Sequence, residues 1–293
     1  MKRKDFLKTI AMLPLAPAAL QLQGLHQLTS GLPVRAKKMP VLFIGHGHPM
    51  NAILDNSFTQ HLSSLGAKMD KPEAILVISA HWETIGTYVS VNPAPKAIYD
   101  FGHFDDRLFR VQYAPAGHPG LARELVRQVQ STTVQEDQAM GLDHGAWTVL
   151  KFLYPEADVP VFQMSIDYSQ PAAYHYQLAT ELKALRSKGV LVIGSGNIVH
   201  NLGMVDWHDM DAKPYDWALE FDALVKNKID HNQVDDLVRY TGLGAAARLA
   251  VPTSDHYLPM LYSLGLKDKD EPVTYTYEGY QYAGIGMRCF QVG

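Results

Sequence analysis

Three apolar stretches of this chain each lead into a histidine. The stretches are Val41–His46, Ala74–His81 and Val190–His200. Short runs rich in valine and isoleucine, closed by small residues, are typical of central strands in a sheet that is covered on both faces. Neutral imidazole is the commonest protein ligand for transition metals. The pattern therefore predicts a metal centre, and the alternative is that each histidine is a hydrogen-bonded residue at a strand end.

Five of the 13 histidines lie in segments that look specialised, and each of the five has a small or turn-forming neighbour. A metal ligand or an acid–base group needs a well-placed backbone and an open approach, and such neighbours provide both. The five are His46, His81, His144, His200 and His256. The remaining histidines carry weaker signals, and most of the following are predicted to be surface or loop residues: His48, His61, His103, His118, His175, His208 and His231.

The strands that must carry these histidines predict an α/β fold. We expect a single domain with a central mixed, largely parallel sheet flanked by helices. In open α/β sheets, ligands bind beyond the carboxyl ends of the strands, so the active site is expected at that edge. One long helix is predicted over Pro171–Lys188. Two C-terminal strands, Pro272–Glu278 and Tyr282–Val292, are predicted to form an antiparallel hairpin around Gly279.

A long irregular segment, Asn92–Pro119, is rich in aromatic residues. Loops of this length inside a compact domain are usually functional or disordered, and the aromatic content argues against disorder. We expect its aromatic residues between Tyr99 and Tyr113, together with Trp82 and Trp147, to line an apolar slot for a ring. The alternative, for at least half of them, is packing in the core.

Composition narrows the class of protein. The chain has 293 residues and a formal net charge of -4, with no cluster of lysine and arginine beyond the N-terminus, which argues against nucleic acid as a partner. Cys289 is the only cysteine, so neither a disulfide nor a thiolate metal site is expected within the chain. It lies in an apolar run and is predicted to be a buried core residue.

The N-terminal segment differs from the rest of the chain. A basic start, Met1–Lys8, precedes the apolar stretch Thr9–Leu20, and Lys2-Arg3 is similar to a twin-arginine export motif. Residues 1–37 are therefore predicted to be an export-signal-like or unstructured segment, and residues 38–293 the catalytic domain. Export to the periplasm is expected, with a cytoplasmic location as the alternative. The apolar stretch is too short for a stable membrane span.

Five motifs in a fixed order carry a resemblance to a known family. They are Gly45–Asn51, Ser79–Trp82, Leu142–Trp147, Gly194–Asn201 and Asp255–Pro259. From about Pro40 to the C-terminus, the chain resembles the 4,5-DOPA extradiol dioxygenases, a branch of the class III extradiol ring-cleaving enzymes. The first motif departs from the common family form, which has serine in place of His48. The departure leaves His46 untouched, places a second imidazole near the metal and is expected to alter substrate fit.

The resemblance implies a set of metal ligands and an acid–base group. The ligands carry over onto His46, His81, His200 and His256, and the acid–base histidine carries over onto His144. Many ring-cleaving relatives use two histidines and one carboxylate. Glu83 and Asp255 lie near motif histidines, but each is interpreted more simply as a strand-end charge or a helix cap.

The implied cofactor is one divalent metal ion. A site built mainly from imidazole suits zinc, which is the expected bound ion. Zinc cannot change oxidation state, so oxygen chemistry would need Fe(II) or another redox metal.

The resemblance implies an extradiol dioxygenase that acts on a catechol such as DOPA and inserts both atoms of O2 next to the diol. His144 is the expected proton shuttle, with His200 or His256 as its rival if only three histidines bind the metal. Two other functions stay open: a zinc-dependent hydrolase, and a non-catalytic protein that binds a metal or an aromatic ligand on the same scaffold. The absence of a His-Glu-x-x-His pattern argues against the hydrolase.

Overall fold

A computed structural model describes residues Lys37–Gly293, which fall within one compact unit. The export signal predicted over residues 1–37 lies outside the described residues, apart from Lys37. No helix in the described part of the chain is long and apolar enough to cross a membrane.

The described residues form ten strands and nine α-helices. The strands are β1 (Val41–Gly45), β2 (Ala74–Thr84), β3 (Thr87–Ser90), β4 (Val134–Asp137), β5 (Val161–Asp167), β6 (Val190–Gly196), β7 (Val273–Tyr277), β8 (Tyr280–Gln281), β9 (Ile285–Gly286) and β10 (Cys289–Val292). The helices are α1 (Ser57–Lys68), α2 (Pro119–Gln128), α3 (His144–Leu153), α4 (Ala172–Glu181), α5 (Ala184–Ser187), α6 (Asp216–Asp230), α7 (Val234–Val238), α8 (Ala245–Ala250) and α9 (Leu258–Gly265).

Eight strands form one mixed sheet in the order β4-β3-β5-β2-β6-β1-β10-β7. The central strands β5, β2, β6 and β1 run parallel to one another, so their carboxyl ends meet at one edge. Strand β10 pairs antiparallel with both β1 and β7, and β3 is antiparallel to β5. The predicted fold class, an α/β domain with a mixed and largely parallel sheet, is confirmed.

The central strands are buried because helices cover both faces of the sheet. Every residue of β1 and β6 is buried, as expected for strands rich in valine and isoleucine. Helix α3 packs against β2 and α1, whereas α9 packs against β6, β1 and α4. Cys289 is fully buried in the core, as predicted.

Two glycines allow α9 to lie close to β6. A Cβ atom on Gly194 would lie 2.3 Å from the Pro259 carbonyl oxygen, and one on Gly196 would lie 2.2 Å from that of His256. Any larger residue would therefore push the helix away from the strand. The close approach places His256 beside the end of β6, where its carbonyl accepts a hydrogen bond from the Asn197 backbone N–H at 2.8 Å.

Several predicted element boundaries are wrong. The stretch Tyr282–Val292 is not one strand. Tyr282 and Ala283 adopt positive φ angles of 51° and 60° in the turn between β8 and β9, and β9 ends at Gly286, before β10 begins at Cys289. Strands β8 and β9 form a separate two-stranded sheet, and only β10 continues the main sheet. The helix predicted over Pro171–Lys188 is divided into α4 and α5.

Candidate active site

The five motif histidines line one cavity of about 190 Å³ at the carboxyl edge of the central strands. His46 directly follows β1, and His144 is the first residue of α3. His81 lies within β2, which continues to Thr84 through an irregularity in its pairing with β5. His200 follows the end of β6 by one short loop, and His256 precedes α9. The five histidines therefore come from five different parts of the chain and converge on a single cavity.

The ring of His46 is oriented by a serine of β6. Its Nδ1 lies 3.0 Å from Ser195 Oγ, and that hydroxyl donates to the Gly145 carbonyl at 2.5 Å. Because the serine proton is committed to Gly145, Oγ accepts from Nδ1–H of His46. The lone pair of His46 is therefore on Nε2.

The ring of His256 is oriented by the preceding aspartate. Its Nδ1 pairs with Asp255 Oδ2, and its Nε2 is buried without a hydrogen-bond partner among the described residues. Burial alone would raise the pKa of Asp255, but the hydrogen bond from His256 and its charge hold that pKa well below the usual range. The interpretation of Asp255 as a helix cap is wrong, since no side chain caps α9, which begins after Tyr257.

Donor nitrogens of three histidines lie close together at the centre of the site. Nε2 of His81 lies 3.1 Å from Nε2 of His46, and donor atoms of His46, His81 and His256 all lie within 4.8 Å of one another. Lone pairs held this close repel one another unless a cation or a proton lies between them. An all-imidazole set, in which partners hold the rings of His46 and His256, suits a divalent transition metal. These residues fit the implied metal ion.

His200 occupies a different position from the other predicted ligands. Its ring stacks on that of His256, with centroids 3.5 Å apart and planes 9° from parallel. Its donor atoms lie near those of Asp255 and His256. Stacked parallel rings direct their lone pairs side by side and not toward one point, so the role of His200 as a fourth ligand stays a prediction.

Burial sets the protonation of this cluster. Desolvation, followed by the charges of neighbouring histidines, lowers the pKa of His46, His81 and His200 well below the usual 6.5. Each ring is therefore neutral near pH 7, which is the form that binds a metal.

His144 is held by an aspartate that the sequence analysis missed. Its backbone N–H donates to Asp100 Oδ1 at 2.8 Å, and its Nδ1 lies 3.0 Å from Oδ2 of the same carboxylate. Because a carboxylate only accepts, Nδ1 carries the proton and Nε2 is free to accept one. The only sequence signal for Asp100 was its place between two aromatic residues, Tyr99 and Phe101, in the irregular segment.

Asp143 supports this region without touching the cavity. It caps α3 by accepting the Ala146 N–H at 3.1 Å and also accepts from Ser79 Oγ at 2.6 Å. Burial raises its pKa to about 6. The cap fixes the first turn of α3, which carries His144.

The aromatic slot differs from its prediction. Phe101 and Phe104 line the cavity as expected, but Trp82 and Trp147 pack in the core, where Trp147 Nε1 donates to the Ile98 carbonyl at 2.9 Å. The wall is completed by Trp207, which the sequence analysis did not select.

Two histidines of the group expected to be mostly surface or loop residues are buried. His48 lines the cavity, and burial followed by the charge of His144 lowers its pKa to about 4. His175 is fully buried in α4, with Nδ1 3.1 Å from the Tyr262 hydroxyl.

Known proteins resemble this chain along most of its length. Residues 39–292 match the family described as the catalytic LigB subunit of aromatic ring-opening dioxygenase. A protein of Escherichia coli K12 named 4,5-DOPA dioxygenase extradiol is 42% identical over 91% of this chain and 99% of its own length. A protein of the same name from Beta vulgaris is 37% identical over 76% of this chain and 85% of its own.

The fold is also found in a solved structure. The crystal structure of an uncharacterised protein from Escherichia coli K12 superposes with a TM-score of 0.77 at 40% identity, covering 87% of this chain and all of that chain. Since the family match spans almost every described residue and agrees with the histidine cavity, the chain belongs to the LigB family of aromatic ring-opening dioxygenases.

Proposed function

We propose that this protein is a metal-dependent extradiol dioxygenase that cleaves the ring of a catechol and inserts both atoms of O2 next to the diol. The observation that supports the proposal is the convergence of donor nitrogens from His46, His81 and His256 within 4.8 Å of one another, where partners on Nδ1 orient the rings of His46 and His256. The names of the relatives point to DOPA as a substrate of those proteins, and a DOPA-like catechol is the corresponding substrate here.

His46, His81 and His256 would hold the metal. Three protein ligands leave room for exogenous ligands, as is usual in catalytic metal sites. When bound, a redox-active ion such as Fe(II) supplies the Lewis acidity that favours loss of a catechol proton and the electron transfer that dioxygen chemistry requires. Zinc can bind to the same nitrogens but supplies only the Lewis acidity.

His144 is the proposed proton shuttle. Asp100 keeps the proton on Nδ1, so Nε2 can accept the catechol proton and return it as the ring opens. The ring centroid of His144 lies 3.8 Å from that of His81 and 5.5 Å from that of Phe101. The shuttle therefore lies between the proposed metal ligands and an aromatic wall that can pack against the substrate ring.

The ligand assignment is tested by metal analysis of single variants. His46→Ala, His81→Ala and His256→Ala should each lower the bound metal and abolish oxygen uptake with a catechol, because each removes one of three donors. His231→Ala, an exposed histidine at the end of α6, is the matched control and should retain both metal and uptake. Full metal content in all three ligand variants would overturn the assignment.

A further inference from the structure

His48 lies in the wall of the same cavity, beneath its rim. The side chain is only 5% exposed, and its ring centroid lies 4.4 Å from that of Phe104, 5.2 Å from that of Tyr282 and 5.8 Å from that of Trp207. Phe104 and Trp207 are 48% and 45% exposed, so they form the solvent side of this aromatic cluster. The imidazole is thus the polar group in an otherwise aromatic part of the wall.

The backbone around His48 is fixed by its neighbours. Gly47 has a φ of +65°, and a Cβ atom there would lie 2.4 Å from Met287 Sδ. The N–H of His48 donates to Gln281 Oε1 at 3.1 Å. The position of the ring is therefore set before any ligand binds.

The hydrogen bond to Nδ1 decides which ring nitrogen carries the proton. The Met50 backbone N–H donates to His48 Nδ1 at 3.2 Å and so caps the 3₁₀ turn Pro49–Ile53. An accepting Nδ1 has no proton, which places the proton of the neutral ring on Nε2. Among the described residues, the ring of His48 makes a hydrogen bond only through Nδ1, and its Nε2 is not among the fully enclosed unpaired atoms, so this donor stays accessible. The wall thus presents one unpaired donor, and a ligand that accepts from it gains a hydrogen bond.

We propose that His48 Nε2–H donates to an oxygen on the ring substituent of the aromatic substrate, and that His48 therefore selects catechols whose side chain bears a carboxylate or a carbonyl group. The inference rests on the proposed function, because a catechol with its diol at the deep histidines directs its substituent toward the rim. None of the described residues that line the cavity is a lysine or an arginine. Sites that hydrogen-bond a ligand group discriminate strongly against analogues without it.

Two variants distinguish the proposed donor role of His48 Nε2 from the role of its Nδ1 as the cap of the 3₁₀ turn. His48→Asn keeps an acceptor near the position of Nδ1 and so can cap the turn, but it lacks the distal donor. His48→Gln places an amide N–H near the position of Nε2. If His48 acted only as a cap, His48→Asn would be the milder change for every ligand.

The ligands are a matched series: 3-(3,4-dihydroxyphenyl)propionate, its methyl ester and 4-propylcatechol. Their dissociation constants are measured anaerobically with the Fe(II)-loaded protein, and kcat/KM is then measured with O2. The wild type and His48→Gln should favour the acid and the ester over the alkyl catechol by about 10-fold or more, the value of one buried hydrogen bond. His48→Asn should bind all three about equally.

The two proposals fail in different ways. Binding with the expected preferences but no turnover of any catechol would contradict ring cleavage and support the role of His48. The role of His48 would be overturned if the wild type did not prefer the acid and the ester over 4-propylcatechol. It would also be overturned if His48→Asn and His48→Gln showed the same preference. A preference of the wild type for the acid alone would show recognition of charge and would also overturn it.

Discussion

Each orienting contact at this site reaches one nitrogen of an imidazole ring and determines what the other nitrogen can do. Ser195 and Asp255 hold the Nδ1 protons of His46 and His256, which leaves both Nε2 atoms as donors to a metal. Asp100 does the same for His144, whose free Nε2 can take up a proton. In the proposed function, a fixed tautomer would therefore serve both metal binding and proton transfer.

Asp100→Asn should lower turnover while the metal is retained. An asparagine amide can donate to Nδ1 of His144, which moves the proton to Nε2 and removes the base. General acid–base groups typically contribute about 10²–10⁴-fold, so kcat for oxygen uptake should fall within that range. Asp106→Asn, with a 73% exposed side chain in the same segment, is the matched control. Unchanged turnover, or a loss of metal as large as the loss of turnover, would contradict the role of Asp100.

At the scale of elements, close contacts between a helix and the sheet place the site. Helix α3 begins at the cavity because Asp143 caps it, and Gly145 brings it against β2. A Cβ atom on Gly145 would lie 2.6 Å from Ser79 Oγ and 2.9 Å from His81 Cδ2. The glycine therefore leaves room for both Ser79, which donates to the capping Asp143, and the proposed ligand His81.

Gly145→Ala should destabilise the fold and weaken metal binding together. Overpacking of a tight contact typically costs about 1–3 kcal/mol in the free energy of unfolding. Displacement of a ligand or of its supports typically lowers metal affinity about 10–100-fold. Urea unfolding and metal titration measure the two effects. Gly120→Ala, in the first turn of α2 with its nearest atom 3.6 Å from the new methyl group, should leave metal affinity unchanged and should not lower stability, since alanine favours a helix over glycine. Equal behaviour of the two variants would show that Gly145 has no such role.

At the scale of the whole molecule, buried histidines make stability depend on pH. Burial lowers the pKa of His175 to about 4, whereas an unfolded chain has a value near 6.5. Between these values the unfolded state binds a proton that the folded state does not, so stability is lost as pH falls from about 6.5 to 4. The loss from this residue is about 3 kcal/mol.

His175→Gln should flatten this pH dependence. The variant has no titrating group at the position, while the histidines of the site contribute equally to both proteins. Urea unfolding between pH 7 and pH 4 gives the free energy at each pH. The wild type should lose more stability than the variant across this range, even if the variant is less stable at pH 7. Parallel curves would show that His175 does not remain neutral in the folded protein.

The sequence predicted the fold class and the strands that carry the histidines because those strands have a clear local pattern. Runs such as Ala74–Ser79 contain only small and branched apolar residues before the first histidine. The C-terminal strands were predicted less well. Their path depends on Tyr282 and Ala283, which adopt the left-handed backbone conformation. Neither residue type predicts that conformation from sequence.

The residues that the sequence did not reveal acquire their roles through distant contacts. Asp100 and Trp207 lie in segments without a periodic pattern, and each reaches the cavity only because the fold brings its segment there. His48 was expected near the metal from the first motif, but the aromatic contacts that bury it come from Tyr282 and Trp207, far along the chain. No local pattern encodes such contacts.

The central claim, that this histidine cavity supports insertion of both oxygen atoms into a catechol, is tested most directly by isotope labelling. The protein is loaded anaerobically with Fe(II), mixed with DOPA and exposed to ¹⁸O₂, and the product is analysed by mass spectrometry at early times to limit exchange with water. We expect one O2 to be consumed per ring opened and two labelled atoms in the product, with no uptake by the zinc-loaded protein. An unlabelled product, or a quinone formed without ring opening, would contradict it.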